Sequence, residues 1–272
     1  MIRFRFKLIR LVLTGLVLAS LGSSLRAQET RLSSLSTRAQ VGTDANQLFT
    51  GFVVGPGPSR QVLIRAAGPT LSPAPFGLGS AVLADPVLTL FKDGAEIARN
   101  DNWGTPLGTA TAVTAATFSS LGAFPFASAA SRDAALIVTL PPGAYSATVG
   151  GAGNTSGIAI IELYEISATS GSNRLTSLSA RAQVGTGAAV TIPGINISAG
   201  AGTRRLLIRA AGPALTALGV PGVLADPTLA VTNPGNTITY AANNDWGTPT
   251  GSNPNTVHLE EGAEMTGRWS WT

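Results

Sequence analysis

From residue 31 onward, apolar and polar side chains alternate in runs of five to ten residues, and each run ends in Gly, Pro, Asn, Asp or Ser. This period of two predicts strands over 32–41, 47–54, 61–67, 87–92, 96–100, 134–140, 145–149 and 157–165. Asp93-Gly94 is a hairpin signal between the fourth and fifth runs, and Pro141-Pro142-Gly143 turns the chain between the sixth and seventh. The glycine-rich stretch 150–154 makes a further turn. An Ala/Thr/Ser-rich stretch, 111–123, holds a short helix or a loop. Eight antiparallel strands in one such unit predict an all-β protein built on a jelly-roll-like sandwich.

The pattern then starts again. Residues 31–43 read RLSSLSTRAQVGT and 174–186 read RLTSLSARAQVGT, identical at 11 of 13 positions. LIRAAGP recurs at 63–69 and 207–213, LADP at 83–86 and 224–227, and Trp-Gly-Thr-Pro at 103–106 and 246–249. The offsets of 143, 144, 141 and 143 residues mark a tandem duplication. Copy one spans 31–166, a polar linker spans 167–173, and copy two spans 174–250. Copy two has counterparts for the first five strands only, so the expectation is two tandem sandwich modules with the second truncated. The tail, 251–272, matches nothing in copy one and is expected to be poorly ordered. A truncated frame or a fragment of a longer array fits this ending.

The N-terminus adds a compartment. Arg3, Arg5, Lys7 and Arg10 precede an uncharged run of 15 residues from Leu11 to Leu25, then Arg26, Ala27 and Gln28. Charge, a short apolar core and a small residue form the export-signal pattern, cut after Ala27. The run is shorter than the roughly 18–20 residues that span a bilayer, though an uncleaved anchor is the other reading. Five of the 18 basic residues precede Gln28, so the remainder carries 13 cations against 14 acids, net −1. That near-neutral balance removes the electrostatic footprint of a nucleic-acid binder. The absence of cysteine removes disulfides, thiolate metal sites and lipid attachment, leaving core burial to hold the modules.

The ordered blocks RLSSLSTRAQVGT, VLIRAAGP, LADPVLTLFKDG, NDNWG and DAALIVTLPPGAYSATVGGAGNTSGIAIIELYE resemble a module repeated in large secreted proteins of Verrucomicrobia-like and Acidobacteria-like bacteria. Residues 85–166 also resemble the bacterial pre-peptidase C-terminal β-sandwich. Both resemblances imply non-catalytic modules appended to, or arrayed in, exported proteins.

Candidate chemistry is sparse. His258, in the tail, is the only histidine, so triads and histidine-ligated zinc lack parts inside either copy. Copy one's carboxylates are Asp44, Asp85, Asp93, Glu96, Asp101, Asp133, Glu162 and Glu165, with no paired acid/base constellation among them. Arg65 and Asp85 recur as Arg209 and Asp226 in apolar surroundings. They read as structural ion pairs, with Asp85 as a turn cap or Arg65 as a ligand anchor as the other readings. Asn100, Asp101, Asn102 and Trp103, with Asp245 and Trp246 in copy two, form the candidate binding cluster. Their oxygens read either as turn chemistry or as a calcium site in which Asp133 joins Asp101. The two tryptophans either close a core or stack on sugars. The expected function is an exported, non-catalytic adhesion or scaffolding protein meeting extracellular protein or polysaccharide. A carbohydrate-binding module and a carboxylate-dependent hydrolase are the alternatives.

Overall fold

A computed structural model describes residues 31–105, 113–166, 175–198, 205–245 and 264–268. The expected export signal, the 167–173 linker and Trp246 lie outside the described residues. Copy one folds as eight strands: β1 (Arg31–Val41), β2 (Leu48–Val54), β3 (Arg60–Ala67), β4 (Pro86–Lys92), β5 (Ala95–Asn100), β6 (Ala134–Leu140), β7 (Gly143–Gly151) and β8 (Gly157–Glu165). One sheet takes the order β1-β8-β3-β6 and the other β5-β4-β7-β2. The chain therefore alternates between layers except at the β4–β5 hairpin, which is the jelly-roll topology. The alternation read from sequence explains the layering: Leu35, Ala39, Phe52, Val62, Ile64, Leu88, Leu90, Ala147, Ile161 and Leu163 all point into one interior.

β3 is buried on both faces, because the outer side of its sheet is covered as well. The segment between β5 and β6 folds back over it, carrying helix α1 (Ala115–Ser120), and builds a second core from Leu63, Ala67, Trp103, Phe118, Phe126, Ala135 and Ile137. Thr114 starts that helix, its hydroxyl accepting from the Thr117 N–H. At one end of the sandwich interior, Arg60 pairs with Glu165 at 3.1 Å.

Copy two does not form a separate body. Its first two strands, β9 (Leu175–Arg181) and β10 (Ile192–Ser198), extend copy one's sheets: β9 pairs with β2, and β10 with β1. Beyond them lie β11 (Leu229–Thr232), β12 (Thr239–Asn243) and β13 (Glu264–Arg268). The full sheets are β12-β11-β13-β10-β1-β8-β3-β6 and β5-β4-β7-β2-β9.

Two expectations change here. The third strand of copy two, the LLIRAA counterpart of β3, is not a strand: Leu207 is 85 % exposed, whereas its equivalent Leu63 is fully buried. A segment this apolar needs strands on both sides, and among the described residues it has neither. The tail, for its part, contributes β13. Pairing of Ile195 with Met265 and of Val231 with Gly267 repeats the copy-one pairings of Phe52 with Tyr145 and Leu90 with Ala147. β13 thus takes the place of β7, in the same register against both neighbours.

The shared RAAGP and LADP blocks have one packing reason. A Cβ on Gly68 would run into the carbonyl of Leu83, and one on Gly212 into that of Leu224. Only glycine lets these backbones touch. Gly68→Ala should destabilise the protein by about 1–3 kcal/mol, read as a lower denaturant midpoint at unchanged slope.

Candidate functional site

Three groupings are candidates: two of polar side chains, one buried and one in a loop, and a seam between the copies. The first is Arg65, fully buried on the outer face of β3. Its guanidinium carbon lies 4.3, 4.4 and 4.3 Å from the ring centres of Phe118, Phe124 and Phe126. Its Nε is 3.4 Å from Glu162 Oε2, and Tyr164 donates to Glu162 Oε1 at 2.8 Å. Burial lowers the Arg65 pKa, with the Glu162 charge opposing the change. Burial also raises that of Glu162, against the pull of Arg65 and the Tyr164 hydroxyl. The expected partner, Asp85, is therefore corrected. β3 and β8 are neighbours with Arg65 directly opposite Glu162, so register assigns the partner. Asp85 instead meets Arg132 Nη1 at 3.1 Å. In copy two, Arg209 and Asp226 are both exposed, and no ion pair joins them.

The second grouping is the 100–103 cluster, which turns out to be mostly internal. Asn100 is buried; its Oδ1 accepts from the Ala135 N–H at 2.9 Å, and its Nδ2 donates to the carbonyls of Asn102 and Thr105 at 3.1 Å. Trp103 is 8 % exposed, donates its indole N–H to Ser128 O at 3.2 Å and packs on Phe118 and Phe126. It closes a core, so it offers no face to a sugar. Asp101 and Asn102 are half-buried, and Asn102, with Thr105 and Ser131, lines a shallow groove of about 280 Å³. Asp245, the copy-two counterpart of Asn102, is exposed and accepts at its carbonyl from Asn243 at 3.2 Å, the same loop bond.

The calcium expectation at Asp101 and Asp133 is corrected too. Asp133 is fully buried and spends its oxygens on the Gly68 and Thr70 N–H groups, at 2.7 and 3.3 Å, and on the Thr70 and Ser131 hydroxyls. A carboxylate so satisfied is a loop clamp with nothing left for a cation. Asp101 neighbours Asp85, whose pKa is raised by burial and then by the Asp101 charge, against Arg132. Among the described residues, no three acids or histidines group to hold a metal.

The third grouping is the seam between the copies, which sequence reasoning missed. Its pairings are symmetric. Leu35 faces Ile195, and Leu178 faces Phe52; Ser36 faces Gly194, and Ser179 faces Gly51; Arg38 faces Ile192, and Arg181 faces Phe49. Each second pair is the first moved by 143 residues with the copies exchanged. Gln40 bridges Gln183, its own counterpart, so a local two-fold axis passes between them. Arg181 lies 5.3 Å over the Phe49 ring, and Arg38 reaches toward the Ala188 carbonyl. Beside Arg38 a cleft of about 480 Å³ opens between Ile192, Thr232 and Asn236. The signal was available: the block with 11 of 13 identities, 31–43, is β1, the strand that makes this contact.

Arg65→Met should cost about 3–5 kcal/mol at pH 7, because it leaves the Glu162 carboxylate buried without a cation. Glu162, already raised, then rises further above its unfolded value of about 4.3. Stability of that variant is accordingly retained below about pH 4 and lost as pH climbs through the folded-state pKa. Thermal melts between pH 3 and 8 would read this slope, with the wild type flatter.

Set beside this geometry, the comparisons are silent: no protein-family model, no curated protein and no solved structure matches the chain.

Proposed function

We propose that this chain is an exported, non-catalytic structural or interaction protein whose working unit is two jelly-roll copies mated along their edges. The observation that carries the reading is the symmetric seam. Two sequences that had diverged only by chance would have no reason to keep β1 and β2 complementary to each other's copies, register by register. Edge strands left bare invite random pairing. Here the bare edges of one copy are satisfied by those of the other, which converts a liability into a specific joint.

The remaining chemistry supports the same reading. Glu162 and Glu165 are tied to Arg65 and Arg60, and Asp133 is tied to backbone donors. The acids left in contact, Asp85 and Asp101, face each other with Arg132 alongside. Carboxyls acting across a glycosidic bond stand about 5 Å or more apart, with the sugar between them. Export rests on the basic, apolar and small-residue pattern of 1–27. Among the described residues no helix is long and apolar enough to cross a membrane. Extracellular protein is the partner class that a mated-edge scaffold fits best. The carbohydrate-binding alternative loses its main support with Trp103 in the core.

Two measurements test the proposal. A Cβ on Gly51 would meet the Ser179 hydroxyl at 2.6 Å, so Gly51→Val should open the seam. Hydrogen exchange is expected to speed up in 175–181 while 134–140 and 157–165 stay protected. Seam strands that exchange as slowly in the variant as in the wild type would sink the mated pair as a unit. Residues 1–30 fused to a reporter enzyme active only outside the cytoplasm should yield activity. A silent reporter, or turnover of any polysaccharide by the full chain, would overturn the exported, non-catalytic reading.

A further inference from the structure

The two halves of the seam are not equally well made. On one, β9 lies against β2, with Arg181 over the Phe49 ring, Leu178 facing Phe52 and Ser179 facing Gly51. On the other, β10 lies against β1, and it carries Ile192, Pro193 and Ile195 where β2 carries Phe49, Thr50 and Phe52. Pro193 has no N–H to give to the ladder opposite Thr37. Arg38 faces Ile192, whereas its counterpart Arg181 has an aromatic ring. Two hydroxyls are orphaned as well. Thr37 and Thr50 are fully buried, and neither Oγ1 has a hydrogen-bond partner among the described residues. Thr37 faces Pro193 and Thr50 faces Ala180, side chains with nothing to offer a hydroxyl.

We infer that the β1 and β2 edges of copy one form a homodimerisation surface, whose fitting partner is the same pair of edges on a second molecule of this chain. This deepens the mated-edge reading and rests on it: copy two is the tethered stand-in that fills the place within one molecule. The argument is an exchange of counterparts. Ala180 corresponds to Thr37, and Pro193 to Thr50. Put copy one's own strands in place of β9 and β10, and the half-turn sets Thr37 directly opposite Thr50 on both sides of the axis. Opposed threonines on one face of an antiparallel pair hydrogen-bond each other. The exchange also gives Arg38 a Phe49 ring in both halves, sets Phe52 against Leu35, and keeps a glycine, Gly51, opposite Ser36.

The two matings use the same strands and the same axis, so they exclude each other. Copy two has the advantage of its tether, since a short linker holds a partner at roughly millimolar effective concentration. The second molecule has the advantage in contacts, with the proline gone from the ladder and the threonine hydroxyls answered. Complementarity at Leu35, Ser36, Thr37 and Arg38 together is complementarity to this sequence. An unrelated strand would satisfy the backbone and leave those positions unmatched.

The chain has no cysteine, so introduced thiols report the joint cleanly. Gln40 sits at the axis, opposite Gln183 within one molecule and opposite another Gln40 in a mated pair of molecules. Gln40→Cys in the otherwise unaltered full chain should form interchain disulfides about tenfold faster than Glu96→Cys on exposed β5, and more so at higher protein concentration. A rate no greater than that of Glu96→Cys overturns the homodimer. Leu178→Asp with Gly194→Val changes copy two alone: Leu178 packs on the copy-one core, and a Cβ on Gly194 runs into the Ser36 hydroxyl. By sedimentation that variant should dimerise about tenfold or more tightly than the unaltered chain, with slow hydrogen exchange kept at 134–140 and 157–165. A monomer at every concentration with those strands protected overturns the inference; if the substitutions unfold copy one, the single-thiol comparison still decides. Adding Thr50→Val should weaken the dimer about tenfold by orphaning Thr37, yet leave the melting temperature of the unaltered chain no lower. A dimer indifferent to that change also overturns it. Gln40→Cys with Gln183→Cys should close a bridge within one chain at low concentration. Failure of that bridge sinks the mated pair itself, whereas a closed bridge without interchain dimers sinks only the homodimer.

Discussion

Backbone hydrogen bonding along β1 and β2 governs what the second copy can be. A jelly roll with four-stranded sheets has two edges on each side, and an edge strand presents unpaired N–H and C=O groups. In copy one the edges formed by β1 and β2 lie at the same side of the sandwich, and both are taken by copy two. That single requirement fixes which strands of copy two meet copy one, sets the local two-fold at Gln40 and Gln183, and decides where its later strands can add. Leu175 completes the copy-one interior, with Leu178 and Ile195 packed against it, so the hydrophobic core runs through the seam.

The second constraint is the cover on the outer face of β3. An arginine in the middle of an apolar strand is costly unless its charge is answered. Glu162 answers the charge from the adjacent strand, and three phenylalanine rings surround the guanidinium, each contact worth up to about 2 kcal/mol when dry. These rings come from the segment after β5, whose course is held by Asn100 and Asp133. The polar residues that look from sequence like a ligand site are the clamps that keep this cover in place. Copy two keeps the arginine but exposes it, which shows how far the buried state depends on neighbours rather than on the strand itself.

The strands of copy one were legible because their alternation is strong and their turns carry Gly, Pro and Asp; predicted and observed bounds differ by two residues or fewer at every end. The outcome at 206–211 was not legible. Its residues nearly match those of β3, and strand formation there depends on pairing partners that local sequence does not encode. Partner choice for Arg65 failed for a related reason, since it follows from the register of β3 against β8 across nearly a hundred residues. β13 had a faint marker: Leu-Glu-Glu-Gly-Ala at 259–263 echoes Leu-Pro-Pro-Gly-Ala at 140–144, the entry to β7. The seam was visible as identity between copies and went unread, because identical sequence suggests equivalent folding before it suggests mutual contact.

The axis between Gln40 and Gln183 also limits valence. A contact that maps onto itself under a half-turn is saturated by two participants and offers no third a place, unlike head-to-tail joints, which propagate. Duplicated units of this kind therefore come as doublets: four in one polypeptide would make two pairs tethered by a linker, rather than an unbroken rod. Growth of any such assembly has to proceed from the strands that end the two sheets, β5, β6, β9 and β12, whose outer edges lie away from the axis.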